Sequence, residues 1–257
     1  MSKPSITVFF PCYNDAGTIS AMVIRALQTL REITDTYEVI VVNDASPDDS
    51  LKILAELSCI LPPEFRVVNH DKNRGYGGVL RSGIAAAKMD WIFYTDGDAQ
   101  YDVRELKLLA EKISDDVDFI NGWKIKRRDP LHRIWIGMAY QYFIKFMFNL
   151  KIRDVDCDFR LMRREIFDVI ELESNTGTIT FELVKKAQDA GFRFVEVPVR
   201  HYYRQYGEAQ FFNIPRVGRT LMALFGWWWR LVVKQEAVKA YEGKREIKIH
   251  LSSLKKD

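Results

Sequence analysis

The sequence predicts an α/β protein whose mostly parallel sheet is flanked by helices. Short apolar runs of strand length alternate with longer amphipathic runs of helical spacing, and each apolar run ends in a polar loop. The β-α-β connection places strands parallel, so their carboxyl ends share one edge of the sheet. Ligands bind at that edge in open α/β sheets. We therefore expect the polar loops to form a single site.

Three strands and two helices carry this interpretation. The strands are rich in β-branched and aromatic residues, and the helices fill the gaps between the first loops. The predicted strands are Ile6–Phe10, Glu38–Val42 and Trp91–Thr95, and the predicted helices are Thr18–Glu32 and Ser50–Leu57.

The loop after the third strand holds two acidic residues and an amide, Asp96, Asp98 and Gln100. Alternation along an extended chain places Asp96 and Asp98 on the same side. Carboxylate and amide oxygens are hard ligands that suit Mg²⁺ or Mn²⁺ carrying a phosphorylated substrate. An isolated D-x-D is most often a solvated turn, so the neighbouring loops decide its meaning.

The two upstream loops add further candidates to the same edge. Pro11, Tyr13 and Asp15 follow the first strand, and Asp44 follows the second. Together with the third loop they form a predicted ligand site. The alternative is that Asp44 and Ser46 only cap the next helix.

These loops resemble the family 2 inverting glycosyltransferases of the GT-A fold. Residues 11–15 (PCYND) are similar to P-x-Y-N-E, residues 42–46 (VNDAS) to V-D-D-G-S, and residues 96–100 (DGDAQ) to D-A-D-L-Q. Further similar segments are 73–83 (N-x-G-x-G-x-A-x-x-x-G), 122–129 (G-x-R-x-x-R-x-D, with Lys124 for the first Arg), 156–161 (G-D-F-R-L) and 197–207 (V-P-V-x-H-x-P-R-x-x-G). The resemblance runs from about residue 5 to about residue 215 and favours the branch that resembles dolichyl-phosphate mannosyltransferase.

The resemblance implies an enzyme that moves a sugar from a nucleotide diphosphate to a polyprenyl phosphate, with Mg²⁺ or Mn²⁺ as cofactor. The implied metal ligands are Asp98 and Gln100. The implied donor-binding residues are Pro11, Tyr13, Asp15, Asp44, Asp96, Gly97, Lys124, Arg204 and Gln210. The implied catalytic residues are Asp96, Asp98, Arg127, Arg133, Asp158 and Arg160.

Two acceptor chemistries remain open in the sequence. An anionic polyprenyl phosphate needs no strong base, and Arg127, Arg133 and Arg160 are then candidates to receive it. A sugar hydroxyl needs a general base, for which Asp158 or Asp156 is the candidate.

The C-terminal part of the chain differs in charge from the rest. Residues 216–257 hold ten Lys or Arg and four Asp or Glu, a net charge of +6, whereas the whole chain has +3. We expect a catalytic domain at 1–215 and a basic, Trp-rich membrane-proximal extension at 216–257. Its predicted apolar helix face consists of Leu221, Leu224, Phe225, Trp228 and Val232, with Arg219, Arg230 and Lys234 beside it. Clustered Trp with cations favours contact with lipid headgroups, and a helix docked on the sheet is the alternative.

A second apolar segment, residues 134–150, is helical in pattern. Arg133, which precedes the segment, and Gln141, Lys145 and Asn149 within it lie four or eight residues apart. These polar side chains form one stripe along the predicted helix. The stripe could face the lipid phosphate while the other faces meet acyl chains or the tail helix. A fully buried core helix is the alternative.

The remaining composition limits the function classes. Three scattered cysteines and four unclustered histidines argue against disulfides and zinc, and the polar N-terminus argues against a signal peptide. We expect a protein that is peripheral on the cytoplasmic face of a membrane. A membrane-anchored partner protein is compatible with this, and no nucleic-acid partner is expected. A family 2 transferase acting on a soluble glycan or protein, and a non-catalytic membrane-binding relative, are the competing interpretations.

Overall fold

The computed structural model describes residues 3–125, 131–204, 206, 222–236, 238 and 241, except the side chains of 131–134 and 136. The strands are β1 (Ile6–Cys12), β2 (Tyr37–Asn43), β3 (Phe65–Asn69), β4 (Trp91–Thr95), β5 (Phe119–Lys124), β6 (Phe159–Arg163) and β7 (Phe194–Val199). The helices are α1 (Ile19–Ile33), α2 (Ser50–Ile60), α3 (Gly75–Ala86), α4 (Leu106–Ala110), α5 (Leu131–Phe148), α6 (Ile166–Val169) and α7 (Ile179–Asp189). Residues 222–233 form a further helix, called here the C-terminal helix.

The seven strands form one sheet in the order β3-β2-β1-β4-β6-β5-β7. Strands β1 to β4 are parallel where they pair, and β7 is parallel to β5. Strand β6 lies between β4 and β5 and is antiparallel to both. The predicted mostly parallel α/β sheet is confirmed, and the strand predicted at Trp91–Thr95 has the observed bounds.

Both faces of the sheet are covered, which explains the near-continuous apolar strands. Alternate side chains of β1 enter different layers. Val8 and Phe10 pack in the layer that includes α1, whereas Phe9 packs in the layer that includes α3 and α7. Because β1 is buried along its whole length, the polar loop that follows it is held rigidly at the sheet edge.

The C-terminal helix docks on the domain, so the docked-helix alternative is confirmed for one of its faces. Leu224 and Leu231 are buried in the layer that includes α3 and α7, and Trp227 and Trp228 pack against it. The predicted single apolar face is wrong in part. Phe225 is 61% exposed, whereas Trp228, predicted on the same face, is partly buried against the core. The last turn, Trp229–Val233, is a π-helix, which changes the direction of the side chains relative to α-helical spacing.

Helix α5 has both a buried and an exposed apolar face. Ile144 and Phe148 lie in the core, whereas Trp135, Tyr142 and Phe146 are exposed. The fully buried alternative for this segment is therefore wrong. The helix ends before Asn149, whose φ of 50° is the left-handed conformation common after a helix C-terminus. Within the described part of the chain, no helix is long and apolar enough to span a bilayer.

The start of α3 depends on close packing against residues 174–175. The Gly77 N–H donates to the Asn175 carbonyl (3.1 Å), and a Cβ on Gly77 would lie 2.0 Å from the Ser174 carbonyl oxygen. We expect Gly77→Ala to lower the free energy of unfolding by about 1–3 kcal/mol, since backbone must move. Urea unfolding followed by circular dichroism measures this.

The matched control is Gly226→Ala in the C-terminal helix, where a Cβ meets no atom of the other described residues within 4 Å, apart from its own helix. We expect that change to raise stability by about 0.5–1 kcal/mol, because alanine favours the helix. Equal effects of the two substitutions would contradict the packing argument.

Candidate active site

Hydrogen bonds connect the three loops that follow the carboxyl ends of β1, β2 and β4. The Asn14 N–H donates to Ser46 Oγ (2.8 Å), and the Ala16 N–H donates to Asp48 Oδ2 (2.9 Å). Thr18 Oγ1 donates to the Gly97 carbonyl (2.7 Å). The loops predicted to share an edge therefore share a single bonded framework.

Each of these loops contains one non-glycine residue in the left-handed region. Asn14, Ala45 and Ala99 have φ values of 60°, 52° and 58°. For alanine this conformation costs about 1–2 kcal/mol. Such strain persists where surrounding bonds fix the backbone, and it concentrates at functional sites.

Asp98 forms an ion pair with Arg204 at the centre of the site. Arg204 Nη2 lies 3.0 Å from Asp98 Oδ2, and the Gln100 N–H donates to Asp98 Oδ1 (3.0 Å). The Gln100 side-chain amide donates to the Tyr202 carbonyl (3.3 Å), which keeps its amide oxygen available as an acceptor. The sequence-predicted Asp98, Gln100 and Arg204 are thus brought together.

Asp15 lies beside this pair and is almost completely buried. It accepts the Tyr13 N–H at Oδ2 (3.1 Å). Gly97 leaves room beside it, since a Cβ there would lie 3.3 Å from Asp15 Oδ2 and 2.8 Å from the Pro11 carbonyl oxygen. Burial raises the pKa of Asp15 to about 7, with a further contribution from the negative charge of Asp98. The Tyr13 side chain is 38% exposed at the rim.

Asp96 and Asp158 form a second acidic pair, each bonded to a tyrosine hydroxyl. Tyr76 donates to Asp96 Oδ1 (2.7 Å), and Tyr94 donates to Asp158 Oδ1 (3.2 Å). Burial raises the pKa of Asp96 well above its usual value, and the charge of Asp158 adds to this. Burial raises the pKa of Asp158 to about 6, opposed by Arg160.

Arg160 is not placed to receive an acceptor phosphate, which corrects that prediction. Its side chain is fully buried. Nε donates to Asn121 Oδ1, Nη1 to the Tyr94 hydroxyl and the Thr180 carbonyl, and Nη2 to the Val155 carbonyl. These internal bonds engage all three nitrogens, so Arg160 positions Tyr94 and, through it, Asp158.

Lys124 occupies a similar internal position at the end of β5. Its ammonium donates to the Asp156 carbonyl (2.7 Å) and lies 3.7 Å from Asp154 Oδ2. The side chain is 8% exposed. Its predicted contact with the donor diphosphate requires that it leave these partners, and that assignment stays a prediction.

Asp44 does not cap α2, so the capping alternative is wrong for this residue. The Ser50 N–H at the start of α2 is bonded by Asp48 instead (3.0 Å). Asp44 reaches the start of α3, where it accepts the Arg74 N–H (2.8 Å) and the Gly75 N–H (3.0 Å). A third partner is the His70 ring, at 2.6 Å.

Some predicted residues lie outside the described part of the chain. Arg127 and Gln210 are among the residues not described, and of Arg133 only the backbone is. Conversely, sequence reasoning missed His70, Tyr76 and Tyr94. A histidine after an edge strand and tyrosines in a helix or strand carry no pattern that indicates a bond to a distant carboxylate.

A family model described as "Glycosyl transferase family 2" matches residues 7–170, which include β1 to β6 and the loops of the site. The chain belongs to this family. The predicted GT-A fold agrees with the solved structures that the chain resembles. Glucosyl-3-phosphoglycerate synthase from Mycobacterium tuberculosis, in complex with Mn²⁺, UDP and glucosyl-3-phosphoglycerate, has a TM-score of 0.63 at 16% identity, covering 86% of this chain and 78% of that one. The same enzyme with Mg²⁺ and UDP has a TM-score of 0.61 at 16% identity, covering the same shares of both chains.

Two relatives are similar in sequence. Glycosyltransferase AglD of Haloferax volcanii is 29% identical over 238 residues, covering 89% of this chain and 38% of AglD. Undecaprenyl-phosphate 4-deoxy-4-formamido-L-arabinose transferase of Aeromonas hydrophila is 23% identical over 206 residues, covering 80% of this chain and 62% of that protein. The chain thus spans less than two thirds of the length of either relative.

The raised pKa of Asp15 predicts a pH-dependent effect of its removal. Native Asp15 holds its proton up to about pH 7, whereas the unfolded residue loses it near pH 4, so wild-type stability falls between those values. We expect Asp15→Asn, studied with chelator present, to match the wild type near pH 4 and to exceed it by up to about 4 kcal/mol at pH 8. Urea unfolding across this range measures the difference.

The exposed Asp71→Asn variant serves as the control, for which we expect no such trend. A stability difference between Asp15→Asn and wild type that stays constant with pH would contradict the assignment.

Proposed function

We propose that this protein is an inverting glycosyltransferase that moves a sugar from a nucleotide diphosphate donor to a polyprenyl phosphate at a membrane surface. The observation that carries the proposal is the Asp98–Arg204 ion pair at the sheet edge, next to Asp15 and Gln100. This arrangement offers both oxygen ligands and a cation to a diphosphate. The relative named as an undecaprenyl-phosphate sugar transferase supports the acceptor class.

The donor set fits a divalent ion that arrives with the diphosphate. Among the described residues, no group of three or more His, Cys, Asp or Glu side chains could hold a metal ion on its own. Mg²⁺ and Mn²⁺ commonly use one or two protein oxygens together with substrate phosphates. Asp98 and the Gln100 amide oxygen would hold the ion, and its bound charge would compensate the leaving diphosphate. The raised pKa of Asp98, caused by burial, indicates a carboxylate that lacks full charge compensation within the protein.

The protein groups have distinct proposed roles around the donor. Arg204 pairs with Asp98 in this structure. In the donor complex its guanidinium would bind a phosphate oxygen in place of that carboxylate. Tyr13, Asp15 and Asp44 would orient the nucleoside. A polyprenyl phosphate needs no deprotonation, and Arg127 and Arg133 stay the candidates to bind it. If the acceptor is a sugar hydroxyl, Asp158, whose pKa burial raises to about 6, is the candidate general base, with Asp156 as the alternative.

Exposed apolar side chains on two helices support a peripheral membrane location. Trp135, Tyr142 and Phe146 of α5 are 70%, 66% and 88% exposed, and they recur at helical spacing. The C-terminal helix exposes a second apolar set, whose members lie three or four residues apart: Met222, Phe225, Trp229 and Val233. Aromatic side chains of this kind suit the interface of a bilayer. We propose the cytoplasmic face of the membrane as its location.

The transfer reaction can be tested with labelled nucleotide sugars and a short polyprenyl phosphate. We expect a product that partitions into organic solvent and releases its sugar in mild acid. Chelator should abolish its formation, and Asp98→Asn should reduce the rate at least about a hundredfold, because charge compensation of the leaving group is lost. Transfer only to soluble glycans would favour the competing acceptor class. Absence of transfer to any acceptor would favour a non-catalytic relative.

Membrane contact can be tested by flotation with vesicles of phosphatidylcholine and phosphatidylglycerol. We expect the double substitution Trp135→Ser and Phe146→Ser to weaken binding at least about tenfold, since each buried aromatic contributes about 1.5–3 kcal/mol. Ile60→Ser on α2 is the control, because Ile60 is 76% exposed but lies on another helix. Equal binding of the folded double variant and the wild type would contradict a role for α5.

A further inference from the structure

A chain of three hydrogen-bonded side chains runs beneath the β2 loop and is not used by the proposed reaction. His70 Nδ1 lies 2.6 Å from Asp44 Oδ1, and His70 Nε2 lies 2.8 Å from Ser82 Oγ. His70 and Asp44 are 6% and 2% exposed. The backbone N–H of His70 donates to the Asn43 carbonyl (2.9 Å), which fixes the histidine beside β2.

The order Asp44–His70–Ser82 matches a nucleophile triad, but its surroundings do not support hydrolysis. A triad needs free N–H donors next to the serine to stabilise an oxyanion. Ser82 lies inside α3, where backbone N–H groups are used by the helix itself. Asp44 is also bonded to two backbone N–H groups, Arg74 and Gly75, which a triad aspartate does not require.

These bonds indicate a different purpose, because Asp44 joins two segments that border the site. Its own N–H donates to the Cys12 carbonyl at the end of β1 (3.1 Å). Its carboxylate holds the turn before α3, whose first turn carries Tyr76 and thereby contacts Asp96. Ala45, which follows Asp44, is held at φ 52°. Asp44 therefore links the end of β1 to the start of α3, from which Tyr76 reaches Asp96.

We propose that His70 is a positioning residue for nucleotide binding, acting through Asp44, with Ser82 fixing its ring. This inference rests on the proposed function, in which Asp44 belongs to the donor site. A carboxylate has about four acceptor positions. His70 and the two N–H groups fill three of them and leave one on Oδ2. When the Ser82 hydroxyl donates to Nε2, the ring proton resides on Nδ1 and points at Asp44. His70 thus keeps Asp44 aligned and its last acceptor position open.

Two substitutions separate the two bonds of the histidine. Asparagine has an amide nitrogen at the position of Nδ1, so His70→Asn retains the donor to Asp44. Glutamine has its amide nitrogen at the position of Nε2, so His70→Gln retains only the contact with Ser82. The probes are UDP, GDP and inorganic pyrophosphate, each titrated calorimetrically with Mn²⁺ into the full chain.

The wild type identifies which nucleotide, UDP or GDP, is bound. For that nucleotide we expect His70→Gln to raise the Kd about tenfold, which corresponds to about 1.4 kcal/mol. His70→Asn should stay within about threefold of wild type. Pyrophosphate binding should be the same in all three proteins, because Asp44 acts on the nucleoside side. Ser82→Ala should raise the nucleotide Kd about threefold, because the His70 ring loses the hydrogen bond that holds its orientation.

Each remaining outcome has a defined meaning. The inference is overturned if His70→Gln binds nucleotide as the wild type does, if His70→Asn loses as much as His70→Gln, or if pyrophosphate binding falls in parallel. If His70→Gln does not fold, an unchanged nucleotide Kd in Ser82→Ala overturns it. A wild type that binds neither UDP nor GDP would overturn the proposed donor class itself and this inference with it.

Discussion

The site of this glycosyl transferase family 2 protein depends on one buried guanidinium, that of Arg160. Burying an unpaired charge is strongly unfavourable, so the chain surrounds it with acceptors from several elements. Asn121 comes from β5, Tyr94 from β4, and carbonyl groups from residues 155 and 180 complete the set. The same cation opposes the rise in the pKa of Asp158. Strand β6, antiparallel within an otherwise mostly parallel sheet, thus connects the core to the acidic residues of the site.

The acidic cluster above that arginine is preformed, although its charges oppose one another. Burial and mutual repulsion raise the pKa values of Asp15 and Asp96. Arg204 partly relieves the repulsion by pairing with Asp98. Hydrogen bonds between the loops hold Ala45 and Ala99 in strained backbone conformations, at some cost in stability. A site of this kind would gain stability from a bound divalent cation, which could in turn hold the diphosphate of the proposed donor.

The exposed aromatic faces belong to helices that also contribute to the core. Ile144 anchors α5, while Leu224 and Leu231 anchor the C-terminal helix in the same layer. Arg230 adds ion pairs to Glu173 and Glu236 and lies 5.0 Å from the Trp227 ring centre. Because their inner faces are fixed, the outer aromatic residues are displayed from rigid elements. The proposed contact with lipid would therefore need no change in the fold.

The sequence by itself determined the α/β class, the strand at Trp91–Thr95 and the shared edge of three loops, because strand alternation and polar strand ends are local patterns. It also indicated Asp98, Gln100 and Arg204, since their motifs resemble a family. Only the tertiary structure decided that Arg160 is internal, that Asp44 holds the start of α3 and that His70 joins Asp44 to Ser82. Those roles depend largely on contacts between residues distant in sequence, such as His70 and Ser82, 12 positions apart, and Arg160 and Tyr94, 66 positions apart, which no local pattern encodes. The orientation of the C-terminal helix was likewise set by packing against the core, which leaves Phe225 exposed, so helical periodicity alone assigned part of its buried face wrongly.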